Sequence, residues 1–236
     1  MLRPWLPVAA LLAITIAAGF SAYRTRFPER DNDDTMTNDR DRLKLRDFTP
    51  LDDETEMVQR LGELKCRFAI NDEGSVVKLY AWHNLTDEHT QLILALPNLK
   101  SFSSTNLRPS STGLSDAGLA ALLSNPNLEE IECHGNQKVT GTFLRDMDRN
   151  SSLTRIGLPH CFIDDAGLAL ARDSSLTHIS LRGSLISDAS IDALCSMRHL
   201  KQVHVKETRV TSLGPDQLRK ALPNCWIDRL DRPNDG

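Results

Sequence analysis

The sequence predicts an α/β solenoid: a curved parallel sheet on the concave side, short helices on the convex side, and an N-terminal transmembrane or signal helix ahead of it. Three observations predict this. An apolar triplet recurs along the chain with a period in the twenties. Each triplet is followed by a hydroxyl or acid that opens a short helical pattern. The first residues hold an uncharged apolar run of 17 positions.

Composition narrows the possibilities. The chain has 236 residues, 40% of them hydrophobic and 25% charged, which fits an ordinary globular fold. Aromatics make up 5%, so the core is aliphatic. A net charge of -4 gives no reason to propose nucleic acid, which wants a basic face. Five cysteines, Cys66, Cys133, Cys161, Cys195 and Cys225, are widely spaced and form no CxxC pair. They signal neither a disulfide framework nor a zinc site and read as buried thiols.

Residues 1–23 form the first element. "LPVAALLAITIAAGFSA", Leu6 to Ala22, carries no charge, with Arg3 before it and Arg24 and Arg26 after. As a helix it is about 26 Å long, just under the roughly 30 Å hydrocarbon core. Trp5 and Tyr23 lie at its ends, where amphipathic rings favour the interface. An uncleaved single-pass anchor through residues 2–23 is the preferred reading. A cleaved signal peptide is the rival, since Gly19 and Ser21 supply small residues before a cut. Arginines at 24, 26, 30, 40 and 42 place the following domain in the cytoplasm by the positive-inside rule. Short leading segments of this kind also act as export signals, which places it on the extracytoplasmic side, periplasmic or secreted if cleaved. The extracytoplasmic side is the expectation adopted.

Residues 24–53 mix charges and prolines with few apolar positions and read as a disordered stalk. Residues 54–75 read as a cap. "ETEMVQRLGEL" spaces Met57, Leu61 and Leu64 at helical intervals, and "KCRFAI", "NDEG" and "SVVKLYAW" follow as strand, turn and strand.

The array covers residues 76–230, followed by a frayed tail at 231–236. Its triplets are Val76, Leu79, Ala81; Leu99, Phe102, Ser104; Leu128, Ile131, Cys133; Leu153, Ile156, Leu158; Leu176, Ile179, Leu181; and Leu200, Val203, Val205. Their first members lie 23, 29, 25, 23 and 24 residues apart. Small or polar residues follow the strands at Asn84, Asn136, Cys161, Ser184 and Thr208. Helix-capping residues come next at Thr86, Ser115, Thr140, Asp164, Ser187 and Thr211, where a side-chain oxygen meets the free N–H groups of a first turn. Apolar pairs on the helices include Leu119 with Leu122, Leu144 with Met147, and Ile191 with Leu194. Thr90 and Ile93 of the first copy fit this pattern less well. One such coil buries too little to offset its ordering entropy, so coils must stack on copies of themselves. In "LGPDQLRKALPNCWIDRL", Pro215 suits a first helical turn, Leu218 and Leu222 face inward, residues 225–227 add a last strand or cover the final coil, and Trp226 is expected as a lid over the open core.

The pattern resembles the leucine-rich repeat family and its ribonuclease-inhibitor-like branch. "GLSDAGLAALL" (113–123) and "FIDDAGLALA" (162–171) look like that branch's helix openings, and "LPNL" (96–99) and "NPNL" (125–128) like its link into the next strand. Anchor, stalk, capping hairpin and short repeats together resemble bacterial membrane-anchored proteins of this family. The resemblance spans roughly Leu61 to Ile227. Two copies depart from it: the second carries the insertion "NLRPSST" (106–112), and the third has "GNQKVTG" (135–141) in place of an acidic helix opening. The resemblance implies a non-catalytic protein-recognition or scaffolding module at a bacterial envelope, with a protein partner and no cofactor.

Strand alternation names the residues that point into the concavity. One column is Lys78, Ser101, Glu130, Arg155, His178 and Gln202. The next is Tyr80, Ser103, Glu132, Gly157, Ser180 and His204. The third is Trp82, Thr105, His134, Pro159, Arg182 and Lys206. The columns run from aromatic through hydroxyl and acidic to basic. As a binding surface, Tyr80 and Trp82 would anchor a partner. Glu130, Glu132, His134, Arg155, His178, Arg182, His204 and Lys206 would supply charge complementarity. The plainer reading is that these residues only solvate the sheet of a passive structural protein. A third is a metal-dependent hydrolase using Glu132 and His134, with His160 nearby, although HExxH, GxSxG, GxGxxG and phosphate-loop motifs do not occur. No catalytic residue and no metal ligand is assigned. Cys161 is read as a turn residue of the coil rather than a nucleophile, and the sequons at Asn84 and Asn150 as chance occurrences.

Overall fold

The structure, a computed structural model, describes residues 54–82, 85–106 and 113–228, all within one structural unit, Pro50–Gly236. The expected anchor (1–23), stalk (24–53), Asn84, most of the serine- and proline-rich insertion (107–112) and the tail (231–236) lie outside the described residues. Among the described residues no helix is long and apolar enough to cross a membrane.

Eight strands form one sheet in sequence order. Helix α1 (Thr55–Glu63) leads into β1 (Arg67–Ile70), which pairs antiparallel with β2 (Val76–Ala81). The turn between them is held by the Asn71 carboxamide oxygen, which accepts the N–H groups of Glu73 (3.1 Å) and Ser75 (2.9 Å). From β2 onward every pairing is parallel: β3 (Ser101–Thr105), β4 (Glu130–His134), β5 (Arg155–Gly157), β6 (His178–Ser180), β7 (Gln202–His204) and β8 (Trp226–Ile227). Helices return the chain between strands: α2 (Thr90–Leu94), α3 (Asp116–Leu122), α4 (Asp165–Ala169), α5 (Ile191–Ser196) and α6 (Leu213–Ala221). This is a leucine-rich-repeat-like α/β solenoid.

The register is the one the triplets predict. Leu79, Phe102, Ile131, Ile156, Ile179 and Val203 are successive partners across the sheet, and each is fully buried. Val76, Leu99, Leu128, Leu153, Leu176 and Leu200 are no more than 5% exposed and belong to the same core. Strand stacking at about 4.8 Å against helix packing at about 10 Å makes the strand side the inner curve. At the N-terminal end Val58 and Leu61 of α1 close the core, with Met57 and Leu64 half-buried against it. The buried Glu54 carboxylate accepts the Val76 N–H at 2.8 Å.

Two polar ladders tie the coils together. The first runs along the convex side. Asp87 accepts the N–H (2.7 Å) and hydroxyl (2.6 Å) of Ser115, and Asp188 does the same for Thr211 (2.8 Å each). Asp116 accepts the Thr140 N–H and hydroxyl and the N–H groups of Gly141 and Phe143. Asp165 accepts the Ser187 N–H and hydroxyl and the Ser190 hydroxyl. In each case the acid follows one coil's expected capping position and holds the residue at that position in the next coil. Burial acts to raise the Asp165 pKa, but these Ser187 and Ser190 hydrogen bonds outweigh it and leave it below the usual value. The rung is missing where Gly141 takes the acid's place; there Gly167 packs so closely that an added Cβ would lie 2.1 Å from the Thr140 carbonyl oxygen.

The second ladder uses buried residues, mostly asparagines, in the turns on either side of the helices. Asn125 donates to the Leu96 carbonyl (3.2 Å) and Asn150 to the Asn125 carbonyl (2.7 Å). The sequon at Asn150 is therefore part of the buried structure. Asn136 donates to the Leu114 carbonyl, and Cys161 fills the same slot by donating its thiol to the Cys133 carbonyl (3.1 Å). Burial pushes the Cys161 thiol up to about 12, in keeping with a turn residue.

Ser115, Asp164 and Ser187 cap their helices as expected, accepting from Ala117, Gly167 and Ala189. Thr140 does not: the N-cap of its coil is Gly141, with no side-chain cap bond, and the Thr140 hydroxyl donates to Asp116 instead. Three further expectations change. The third coil returns through a 3-10 run, Thr142–Arg149, because its helix opening places a left-handed Gly141 where others have an acid. Thr90 and Ile93 do fit: Ile93 is fully buried, and the Thr90 hydroxyl donates to the Asp87 carbonyl at 2.7 Å. Trp226 is no core lid. Register pairs it with Gln202 on the open face, where it is 54% exposed.

Candidate recognition face

The open face of the sheet collects the predicted columns. Lys78, Ser101, Glu130, Arg155, His178, Gln202 and Trp226 are successive partners, as are Tyr80, Ser103, Glu132, Gly157, Ser180 and His204. Thr105 pairs with His134 in the third column. Beyond the short strands that register continues through backbone bonds from Gly135 to Pro159 (2.8 Å), His160 to Arg182 (2.7 Å) and Gly183 to Lys206 (2.9 Å). Tyr80, Trp82, Glu130, His134, Arg155, His178, Arg182 and Lys206 are all partly exposed, and Glu132 is exposed.

The hydroxyl and acidic zones are joined. Ser101 donates to Glu130 at 2.8 Å and Ser103 to Glu132 at 3.5 Å. Crowding by the trough, then the Glu130 carboxylate, raises the Glu132 pKa, with the Ser103 hydroxyl opposing. Burial lowers the His134 pKa, helped by His160 and Arg182. It also lowers that of His178, helped by Arg155 and Lys201; the His178 Nδ1 lies 2.8 Å from the Thr177 hydroxyl. Both imidazoles are therefore biased to the neutral form at pH 7. Among the described residues no group of three His, Cys, Asp or Glu side chains is placed to hold a metal ion, and Glu132, His134 and His160 form no such group.

His204 is the exception among the predicted surface residues. It is 5% exposed, with Nδ1 3.5 Å from the buried Asp228 carboxylate and its ring 5.0 Å from that of Trp226. Asp228 also accepts the Val205 N–H at 2.9 Å. The C-terminal strand covers His204, so Trp226 is the side chain presented at that end of the face.

A further cluster lies on the rim, in the turn after each strand. Gly135, His160, Gly183 and Glu207 occupy successive coils at one position, all left-handed, with φ of 70, 57, 66 and 59°. Glycine adopts this conformation freely, whereas a residue with a Cβ is strained by roughly 1–2 kcal/mol. His160 and Glu207 bear that strain, and their side chains meet. The His160 imidazole lies over Gly183, where a Cβ would fall 2.3 Å from its Nδ1. His160 stacks on His134 with ring centroids 5.2 Å apart and planes at 20°. Its Nε2 is 3.8 Å from Glu207 Oε2, while Arg182 donates to Glu207 Oε1 at 2.6 Å. That hydrogen bond, then the charges of Arg182, His160 and Lys206, holds the Glu207 pKa below the usual range against a smaller opposing effect of burial. Sequence reading gave Glu207 no role. The available signal was the alignment of Asn106, Gly135, His160, Gly183 and Glu207, in which two glycines mark a position that favours φ above zero.

No family model and no curated protein matches the chain. Among solved structures, a protein from Bacteroides fragilis aligns at 25% identity and a TM-score of 0.41 over 56% of this chain. This chain spans 41% of that protein's length. Internalin C2 from Listeria monocytogenes aligns at 19% identity and a TM-score of 0.37, covering 75% of this chain and 91% of its own.

Proposed function

We propose that this chain is a non-catalytic protein-recognition or scaffolding module whose open sheet face receives a protein partner. We further propose that residues 2–23 tether it to a bacterial membrane, with the solenoid on the extracytoplasmic side. The observation that carries the recognition reading is the face itself. Side chains of different chemistry are set one strand apart on a rigid backbone, running from Tyr80 and Trp82 through Glu130 and Glu132 to Arg155, Arg182 and Trp226. Fixed spacing reduces the ordering cost of binding, and aromatic side chains at both ends suit anchors flanking a charged centre. The assignment to the ribonuclease-inhibitor-like branch rests on the helix openings at 113–123 and 162–171 and supports the same reading.

The test compares partner capture by the wild-type chain, by Trp82→Ala and Glu132→Lys on the open face, and by Arg145→Ala on the convex side. The expected result is one partner set retained by Arg145→Ala and weakened about tenfold or more by the open-face variants, as for hot-spot residues. Identical capture by all four chains would sink the reading. Stoichiometric zinc in the purified protein, lost on His134→Ala, would favour the hydrolase instead. Proteinase accessibility of the solenoid in intact cells and spheroplasts tests the proposed side of the membrane.

A further inference from the structure

The rim cluster deepens this reading and rests on it: it names the chemistry of what the face receives. We propose that Arg182 and His160 form a carboxylate-binding site for an acidic segment of the protein partner, and that Glu207 occupies this site in the free protein as an internal competitor.

The geometry supplies the argument. Glu207 Oε1 takes a hydrogen bond from Arg182 at 2.6 Å, and Oε2 faces His160 Nε2 at 3.8 Å. A carboxylate therefore already sits between a guanidinium, a preferred partner for such groups, and an imidazole. Glu207 and His160 both adopt a left-handed backbone in these turns, while the equivalent turns at Gly135 and Gly183 use glycine. Strain held by two residues whose side chains converge points to a site rather than to turn formation, which glycine accomplishes unaided. Gly183 leaves the space in which the imidazole lies, and His134 braces the ring from the other side. The surroundings favour a peptide over a small free acid. Phe162 and Leu185, two residues beyond His160 and Gly183 on adjoining coils, are 44% and 36% exposed. An acidic residue flanked by apolar ones matches that combination of charge and exposed hydrocarbon.

The test is fluorescence anisotropy at low salt with the full chain and a labelled peptide of repeated Glu-Glu-Leu, with Gln-Gln-Leu as the uncharged control. The wild type should bind the Glu peptide and not the Gln peptide. Glu207→Gln removes the competitor and should tighten binding about tenfold. Glu207→Gly should do the same while fitting the backbone, so a folding defect in one variant leaves the other to decide. Arg182→Gln should weaken binding at least about tenfold. Unchanged or weaker binding in both Glu207 variants, full affinity in Arg182→Gln, or equal binding of the two peptides overturns the proposal. A chain that ignores the peptide yet captures its partner through Trp82 and Glu132 overturns the carboxylate site and leaves the recognition face standing.

Discussion

Replacing Asn150 by alanine isolates the asparagine ladder. Its side chain is 2% exposed and makes three hydrogen bonds: it donates to the Asn125 carbonyl at 2.7 Å and accepts the N–H groups of Ser152 (2.8 Å) and Leu153 (2.9 Å). Truncation leaves all three backbone groups without this partner. Ser152 is close enough to solvent for water to replace its bond, and the Asn125 carbonyl keeps the Leu128 N–H at 3.3 Å, whereas the buried Leu153 N–H is orphaned. An orphaned buried polar group costs about 1–3 kcal/mol, so the loss should be about 2 kcal/mol. For a unit of this size that corresponds to a Tm lower by about 4–8 °C. Urea unfolding followed by far-UV circular dichroism should show the midpoint falling while the slope stays constant. Asn150→Asp keeps the two acceptor bonds but sets a charge beside the Asn125 carbonyl, and should be at least as damaging. An Asn150→Ala chain within about 0.5 kcal/mol of wild type, the range of an ordinary surface substitution, would refute the claim that this residue joins adjacent coils.

Other perturbations probe other levels of the structure. Gly167→Ala places a Cβ against a backbone carbonyl and should destabilise by about 2–3 kcal/mol in thermal melts. Gly118→Ala meets side chains, the Asp87 carboxylate and a Leu114 methyl, which can shift at the expense of the Asp87–Ser115 rung, and should cost less; equal losses would contradict the backbone contact. Because the Asp165 pKa is lowered on folding, its contribution is complete above the unfolded value of about 3.9 and is lost as pH falls through the lower folded value. Asp165→Asn should therefore flatten the acid limb of a stability-against-pH curve below about pH 4, and an unchanged limb would refute the assignment. Partly exposed Cys195 and Cys225 should react with a thiol reagent in the folded protein, while Cys66, Cys133 and Cys161 react only on unfolding. Prompt labelling of Cys161, whose thiol is pushed up to about 12, would contradict its placement.

The repeat was legible because burial imposes it on every coil. Once Leu153, Leu176 and Leu200 were aligned, the register from Arg155 to His178 to Gln202 followed from alternation alone. Capping positions were legible for a similar reason, since Ser115, Asp164 and Ser187 meet a local chemical need. The aspartate after each cap was not, because its partners lie in the next coil, 22 to 28 residues away. The rim cluster was hidden because a sequence does not show the sign of φ, and glutamate rarely signals a left-handed turn. His204 was misread for a third reason. Its column was correct, but its burial depends on the two-residue strand at Trp226 and Ile227, which no repeat copies.

The convex carboxylates also bear on how such an array can lengthen or shorten. An aspartate reaching the equivalent hydroxyl of the following coil is a self-complementary joint, used alike at Ser115, Thr140, Ser187 and Thr211. A tandem duplication that inserts another coil with both parts would find ready-made couplings above and below. The seam between Gly141 and Gly167 has no such generality, because two bare backbones fit each other there by shape. The coils on either side of it are bound to remain neighbours while the others are free to multiply.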